Sequence, residues 1–263
     1  MSELVRVERA GDVLRVTLNR PDVRNALSGE LLLQLRAAFE EAAEDTSVRA
    51  AVLAGEGKDF CAGADLGEMK KLGAATKDEN RADAQRLSAA FASIEAFPRP
   101  VIGRVQGNVF GGGAGLVAAC DISVVARDAR FAFSEVRLGI IPAVISPYVV
   151  RRLGAGRARQ LFLTGERFDG ATAAAYGLAA EAVEADALDE RVDALLELIL
   201  AGSPDAQRRI KLLVRAVSER DLEEAAAMTP QFIADARASE EGQEGLLAFQ
   251  EKRKPNWVPE AES

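Results

Sequence analysis

The chain has 263 residues, 48% of them hydrophobic, so it can bury one substantial core. Lys and Arg total 33 against 41 Asp and Glu, a net charge of −8 spread through Ala-rich segments, which argues against a nucleic-acid-binding face. Histidine is absent, which excludes Ser-His-Asp and Cys-His triads, His-ligated zinc and imidazole acid/base chemistry, and leaves any catalysis to carboxylates and backbone dipoles.

In chain order, LRVTLN (14–19) reads as a strand. ALSGELLLQLRAAFEEAAED (26–45) has helical periodicity, opened by the cap candidate Ser28 with Leu31, Leu32, Leu35 and Phe39 on one face. AAVLAG (50–55) is a second strand, and DENRADAQRLSAAFASIEAF (78–97) a second helix, stopped by Pro98 and Pro100. VIGRVQG (101–107) is a third strand, leading to AGLVAAC (114–120) as a buried helix, then ISVVA (122–126) and RFAF (130–133) as strands. Ser146-Pro147 reads as an N-cap followed by proline at the first helical position. Strand and helix alternate with Gly-containing loops between them, the pattern of an α/β protein with both sheet faces covered. From Ser203 onward three helical segments follow with no strand between them, as a region packed on the core or mediating oligomerisation.

No stretch reaches the roughly 20 apolar residues of a membrane span, and the N-terminal residues lack the apolar run of a signal peptide, so a cytoplasmic protein is expected. Cys61 and Cys120 have no metal-type or redox-type neighbours at short spacing and are expected as buried thiols.

The most unusual stretch is GGGAGLVAACD (111–121). Three consecutive glycines are retained where φ is positive or where something must approach the backbone closely. Gly113, Gly115 and Ala118 fit G-x-G-x-x-A, but the match does not follow its strand directly and does not open the first βα unit, as a dinucleotide site requires. A phosphate-cradling loop fails because no Gly-Lys-Ser/Thr follows. Tight packing of a helix on a strand is the plainer alternative.

The stretch does not stand alone. NRPDVRNALS, DFCAGADL, QGNVFGGGAGLVAACD, FAFSEVRLGIIP, LTGERFDGATAAAYGL and LLAFQEKRKPNW occur in this order over essentially the whole chain, and together they resemble the crotonase, or enoyl-CoA hydratase/isomerase, superfamily. The resemblance implies an α/β fold, a crotonase-like spiral of ββα units over residues 1–200, and an α-helical C-terminal trimerisation region over 201–263. It implies a homotrimer or dimer of trimers, acting on an acyl-CoA thioester with coenzyme A as part of the substrate, with no metal, no other cofactor, and no nucleic-acid or membrane partner. By motif match, the N–H groups of Ala64 and Gly112 would polarise the thioester carbonyl, and Glu135 would be the general acid/base. Phe131, Phe133, Val136 and Leu138 around Glu135 suit a partly desolvated carboxylate. Arg24 and Lys58 would meet the adenine and phosphate groups of coenzyme A. Ala26, Ala62, Gly63, Asp65, Leu66 and Gly111 would line the substrate, Asp65 chiefly ordering its loop. Phe249 and Lys252 would reach coenzyme A from the C-terminal segment, often that of a neighbouring subunit.

Two departures narrow the reading. Standard hydratases of this superfamily place a second glutamate four positions after the first glycine, so that two carboxylates hold the attacking water; this chain has Gly115 there. After GIIP, where ordinary hydratases are glycine-rich, the chain runs AVISPYVVRRLG, which with the glycine block resembles the bacterial methylglutaconyl-CoA hydratase branch. The implied reaction interconverts 3-methylglutaconyl-CoA and 3-hydroxy-3-methylglutaryl-CoA, in leucine and isovaleryl-CoA metabolism. The alternatives are a Δ3,Δ2-enoyl-CoA isomerase, a general short-chain enoyl-CoA hydratase, and a non-catalytic CoA- or RNA-binding protein, the last disfavoured by the negative charge and the intact motifs.

Overall fold

A computed structural model describes residues 3–258. β1 (Val5–Ala10) and β2 (Val13–Leu18) form an antiparallel hairpin turning at Gly11, whose φ of 57° suits glycine. α1 (Gly29–Glu44), β3 (Ala50–Gly55), α2 (Leu66–Leu72), α3 (Lys77–Glu95), β4 (Val101–Val105), β5 (Asn108–Phe110) and α4 (Gly112–Ala119) follow. Next come β6 (Ile122–Ala126), β7 (Arg130–Ala132), α5 (Ser146–Thr164), β8 (Arg167–Asp169), α6 (Gly170–Tyr176), β9 (Glu181–Val183) and α7 (Leu188–Ala201). α8 (Pro204–Ser218), α9 (Leu222–Ala238) and α10 (Glu240–Glu251) complete the chain as helices.

The chain alternates between two sheets. A six-stranded sheet runs β1-β2-β3-β4-β6-β9, parallel except for the first hairpin, and a three-stranded sheet runs β5-β7-β8. Thus β4, β5 and α4 form one turn of a spiral, and β6, β7 and α5 form the next. Side chains alternate across the large sheet. Ala51, Leu53, Val101 and Val125 enter a core shared with α1, α3 and α4, whereas Val52, Ile102 and Val124 face Leu188, Val192, Leu196 and Ile199 of α7. Both faces are covered, as the apolar strands require.

α1 meets the expected stripe: Ser28 accepts the Leu31 N–H, and Leu31, Leu32, Leu35 and Phe39 are buried. α5 departs from expectation at its start. Ile145, not Ser146, occupies the cap position, because the chain is already turning: the Ser146 N–H donates to the Pro142 and Ala143 carbonyls at 3.1 and 3.3 Å. Ser146 is the first helical residue, and its hydroxyl donates to the Ala143 carbonyl at 2.8 Å. The stretch 101–107 likewise ends earlier as a strand, at Val105, and a separate strand begins at Asn108. Both thiols are buried, and burial pushes each up to about 12. Among the described residues, no helix is long and apolar enough to cross a membrane.

Two cations tie the C-terminal helices to the core. The Lys211 ammonium donates to Asp121 at 2.6 Å. Arg49, only 8% exposed, donates to the carbonyls of Leu200, Gly202 and Trp257 at 3.1, 2.7 and 2.9 Å. Removing the guanidinium leaves three part-buried carbonyls without their donor, so Arg49→Ala is expected to lose about 1–2 kcal/mol. Urea unfolding checks this, and an unchanged midpoint would mean that water replaces the guanidinium.

Candidate active site

The loop between β3 and α2 is built to present backbone. Asn25, fully buried with φ 54°, donates to the Glu56 and Asp59 carbonyls at 3.0 and 2.8 Å. Leu27 pairs with Ala64 as a parallel bridge: the Leu27 N–H donates to Gly63 and the Asp65 N–H donates to Leu27. A residue flanked in this way points its own N–H away from the partner strand, and Ala64 is exposed. Gly63 lies at φ 94° with the Phe110 carbonyl 2.9 Å from where a Cβ would stand, so the loop can approach β5 only with glycine there.

From the other side comes the glycine block. Gly111 caps α4 at φ 48°, and Gly112 and Gly113 are its first two residues. The helix therefore starts two residues earlier than its hydrophobic pattern suggests, and the Gly112 N–H is among the N–H groups that a helix leaves without an internal partner. The positive end of the helix dipole points the same way. A Cβ on Gly111 would stand 2.9 Å from Glu135 Oε1, and one on Gly113 would collide with the Cys61 carbonyl. The bare backbone thus makes room for a carboxylate at one position and for the neighbouring loop at the other.

Glu135 sits in a 3-10 turn spanning Ser134–Leu138, directly after β7. Its Oε2 is buried without a hydrogen-bond partner. Burial pushes this carboxyl above the ordinary glutamate range, opposed only by a bond to its own backbone. Of the apolar neighbours expected to shelter it, Phe131 and Phe133 are buried, but Val136 and Leu138 are 40% and 57% exposed. The short-period turn splays them outward, and the carboxylate is housed against Gly111 instead.

A family model described as enoyl-CoA hydratase/isomerase matches residues 8–260. The chain belongs to that family. It is 36% identical to the 2,3-dehydroadipyl-CoA hydratase of Escherichia coli, over 98% of this chain and 99% of that one. It is 32% identical to the short-chain-enoyl-CoA hydratase of Clostridium acetobutylicum, over 94% and 95%. The solved structure of Pseudomonas aeruginosa AtuE superposes with a TM-score of 0.93 at 39% identity, covering 98% of this chain and all of that one. The fold is the mixed α/β crotonase fold with its helical C-terminus.

Within that family the site departs where the sequence does. A Cβ on Gly115 would stand 2.8 Å from Ile145 Cβ and 3.1 Å from Phe91 Cε1, with Ile145 Cγ2 closer still. Ile145 is 3% exposed and Phe91 fully buried, so packing, and not composition alone, keeps a second carboxylate out of this position.

The other expected residues divide into two groups. Arg24 (φ 54°) and Lys58 are exposed on the two loops that flank Ala64, Arg24 lying 3.8 Å from Asp59. Ala26 is buried, and the Ala62 N–H donates to the Arg24 carbonyl at 2.9 Å. Asp65 caps α2 by accepting the Gly67 and Glu68 N–H groups and pairs with Arg20 at 2.9 Å, an ordering role. Leu66 opens α2, but its side chain lies outside the described residues. Phe249 and Lys252 are not brought to this constellation within the chain. α10 packs on α8 and α9, Phe249 is 85% exposed and Lys252 caps α10 at φ 55°.

Sequence reasoning missed Asp59 and Asn108. Asp59 Oδ1 accepts the Asn108 N–H at 2.8 Å and its side-chain amide at 2.6 Å, which joins the Ala64 loop to the strand that delivers Gly111 and Gly112. The available signal was Gly107 between strands, at φ 64° with Asp59 against it.

Proposed function

We propose that this protein is an acyl-CoA hydratase/dehydratase that interconverts 3-methylglutaconyl-CoA and 3-hydroxy-3-methylglutaryl-CoA. The observation that carries the reading is Glu135: a half-buried carboxylate whose Oε2 is buried without a partner, set against the N-terminal end of α4. In the hydration direction, the Ala64 and Gly112 N–H groups hold the thioester oxygen. Glu135 takes a proton from water as the water oxygen bonds to C3, and the electron pair of the double bond moves into the enolate. The same carboxyl then delivers that proton to C2, and the carbonyl reforms. Dehydration runs through these steps in reverse, so one carboxyl serves both proton transfers, with no metal in either.

The stretch AVISPYVVRRLG and the glycine at position 115 support the methylglutaconyl branch. The E. coli relative is named for a substrate that also carries a distal carboxylate. Coenzyme A would meet Arg24 and Lys58, and Phe249 and Lys252 would serve a neighbouring subunit. Leu222 and Phe249, 86% and 85% exposed on the C-terminal helices, suit a homotrimer or a dimer of trimers.

Gly115 also favours a second reading, a Δ3,Δ2-enoyl-CoA isomerase, which needs only one proton-carrying group. Mass-spectrometric turnover of 3-hydroxy-3-methylglutaryl-CoA, crotonyl-CoA and a 3-enoyl-CoA separates the two. Loss of one water from the first, faster than action on the others, is expected. Turnover of the 3-enoyl-CoA alone, with no change of mass, would establish the isomerase.

A further inference from the structure

The Ala64 loop and the loop before α1 meet through a parallel bridge one residue long, so only two backbone bonds, from the Leu27 N–H to Gly63 and from the Asp65 N–H to Leu27, orient the Ala64 peptide there. Arg20 closes this bridge from the side. Its Nη1 donates to the Ala26 carbonyl at 2.6 Å, just before Leu27, and its Nη2 donates to Asp65 Oδ2 at 2.9 Å, just after Ala64. Arg20 is itself fixed: its N–H donates to Asn25 Oδ1 at 2.8 Å, and its carbonyl accepts the Asn25 N–H at 2.8 Å. The Arg20 and Asp65 side chains are only 20% and 18% exposed, so salt and water screen this pair less than a surface pair. Burial pushes the Asp65 carboxyl up, but the bonds from Arg20 and from the Glu68 and Gly67 N–H groups outweigh it and hold the group below the ordinary aspartate range. Asp65 therefore stays charged, and the clamp closed, at neutral pH.

We propose that Arg20 is a positioning residue for the reaction, holding the Ala64 N–H at the distance from the Gly112 N–H that a thioester oxygen requires. It touches no reacting atom and acts through Ala26 and Asp65. An oxyanion donor is effective because it is fixed before charge develops, so loss of the clamp slows the chemistry without removing substrate binding. Lysine replaces it only in part, because an ammonium lacks the planar fork that meets two acceptors at once. This rests on the reading of Ala64 and Gly112 as the donors and adds the side chain that sets one of them.

The test uses acetyl-CoA isotope-labelled at its carbonyl, a thioester with no double bond to hydrate, and reads its infrared carbonyl stretch on wild type, Arg20→Met, Arg20→Lys and Asp65→Asn. Thermal unfolding confirms that each variant is folded, and Asp65→Asn serves if Arg20→Met does not fold. Wild type is expected to move the stretch to lower frequency, the mark of a polarised carbonyl. Arg20→Met and Asp65→Asn should lose part of that shift, and Arg20→Lys less of it. With 3-hydroxy-3-methylglutaryl-CoA, kcat should fall by about tenfold to a hundredfold in Arg20→Met while KM stays nearly constant. The double variant should be no worse than either single one, as expected of two residues acting through one contact. Folded Arg20→Met with the full shift and the wild-type kcat, or with a raised KM alone, overturns the role of Arg20 and leaves the two donors standing. A wild-type stretch that matches free acetyl-CoA overturns the donors and the role of Arg20 together. Wild type that shifts the stretch but does not dehydrate 3-hydroxy-3-methylglutaryl-CoA overturns the substrate reading, and the shift across the variants then decides the role of Arg20.

Discussion

Glu135→Gln is expected to lower turnover by about 10²–10⁴-fold, the usual contribution of a positioned acid/base, while making the protein more stable at neutral pH. The two effects share one cause. Burial raises the Glu135 pKa, so the folded state resists the ionised carboxylate that the unfolded chain accepts freely. For a carboxyl whose folded pKa is raised, stability is full below the ordinary glutamate pKa of about 4.3 and falls as pH rises toward the folded value. A neutral glutamine removes that loss, so the stabilisation should be present at pH 7 and vanish toward pH 4. Hydration needs the carboxylate, so wild-type kcat/KM in that direction should rise with pH through an apparent pKa above the ordinary glutamate range. Urea unfolding at the two pH values, with rates on the same preparations, checks both parts. Full activity in Glu135→Gln would remove the carboxylate from the mechanism.

Gly113→Ala is expected to reduce kcat by about 10²–10³-fold, as loss of an oxyanion donor does elsewhere, although residue 113 supplies neither proposed donor. The added Cβ would meet the Cys61 carbonyl, a rigid backbone group. That carbonyl also accepts the Phe110 N–H at 3.0 Å, and Cys61 bridges Val109. Relief must therefore come from spreading the Ala64 loop away from α4, and small displacements of reacting groups cost orders of magnitude in rate. Gly112→Ala is a useful contrast. Its Cβ would meet only the end of the Leu27 side chain, at 2.6 Å, which can rotate aside. Steady-state kinetics should show the larger loss of kcat in Gly113→Ala, and equal losses would mean that the spacing of the two loops is not the sensitive quantity.

Local features of the fold were legible where one physical cause dominates. The α1 stripe, the strands 50–55 and 122–126 and the Ser28 cap depend on periodicity and neighbouring residues, and they stand where their patterns put them. β1, β5 and α2 were not read, nor were β8, α6, β9 and α7. β1 alternates too weakly, because most of its residues are exposed, and β5 is three residues long and exists through pairing with β7. The Ser146 cap failed because a preceding turn, invisible to a local pattern, had already oriented the chain.

For the site, the sequence by itself determined the chemistry available. With no histidine and a bare glycine block, it leaves catalysis to carboxylates and the backbone. Tertiary structure alone decided how these meet. It sets Glu135 against Gly111, leaves Oε2 without a partner, joins the two loops through Asp59 and Asn108, and fills the space over Gly115 with Ile145 and Phe91. The physical reason is that burial, collision and polar pairing belong to residues far apart in the chain. Residue 115 reads as a missing glutamate in sequence, and only packing reveals that there is no room for one.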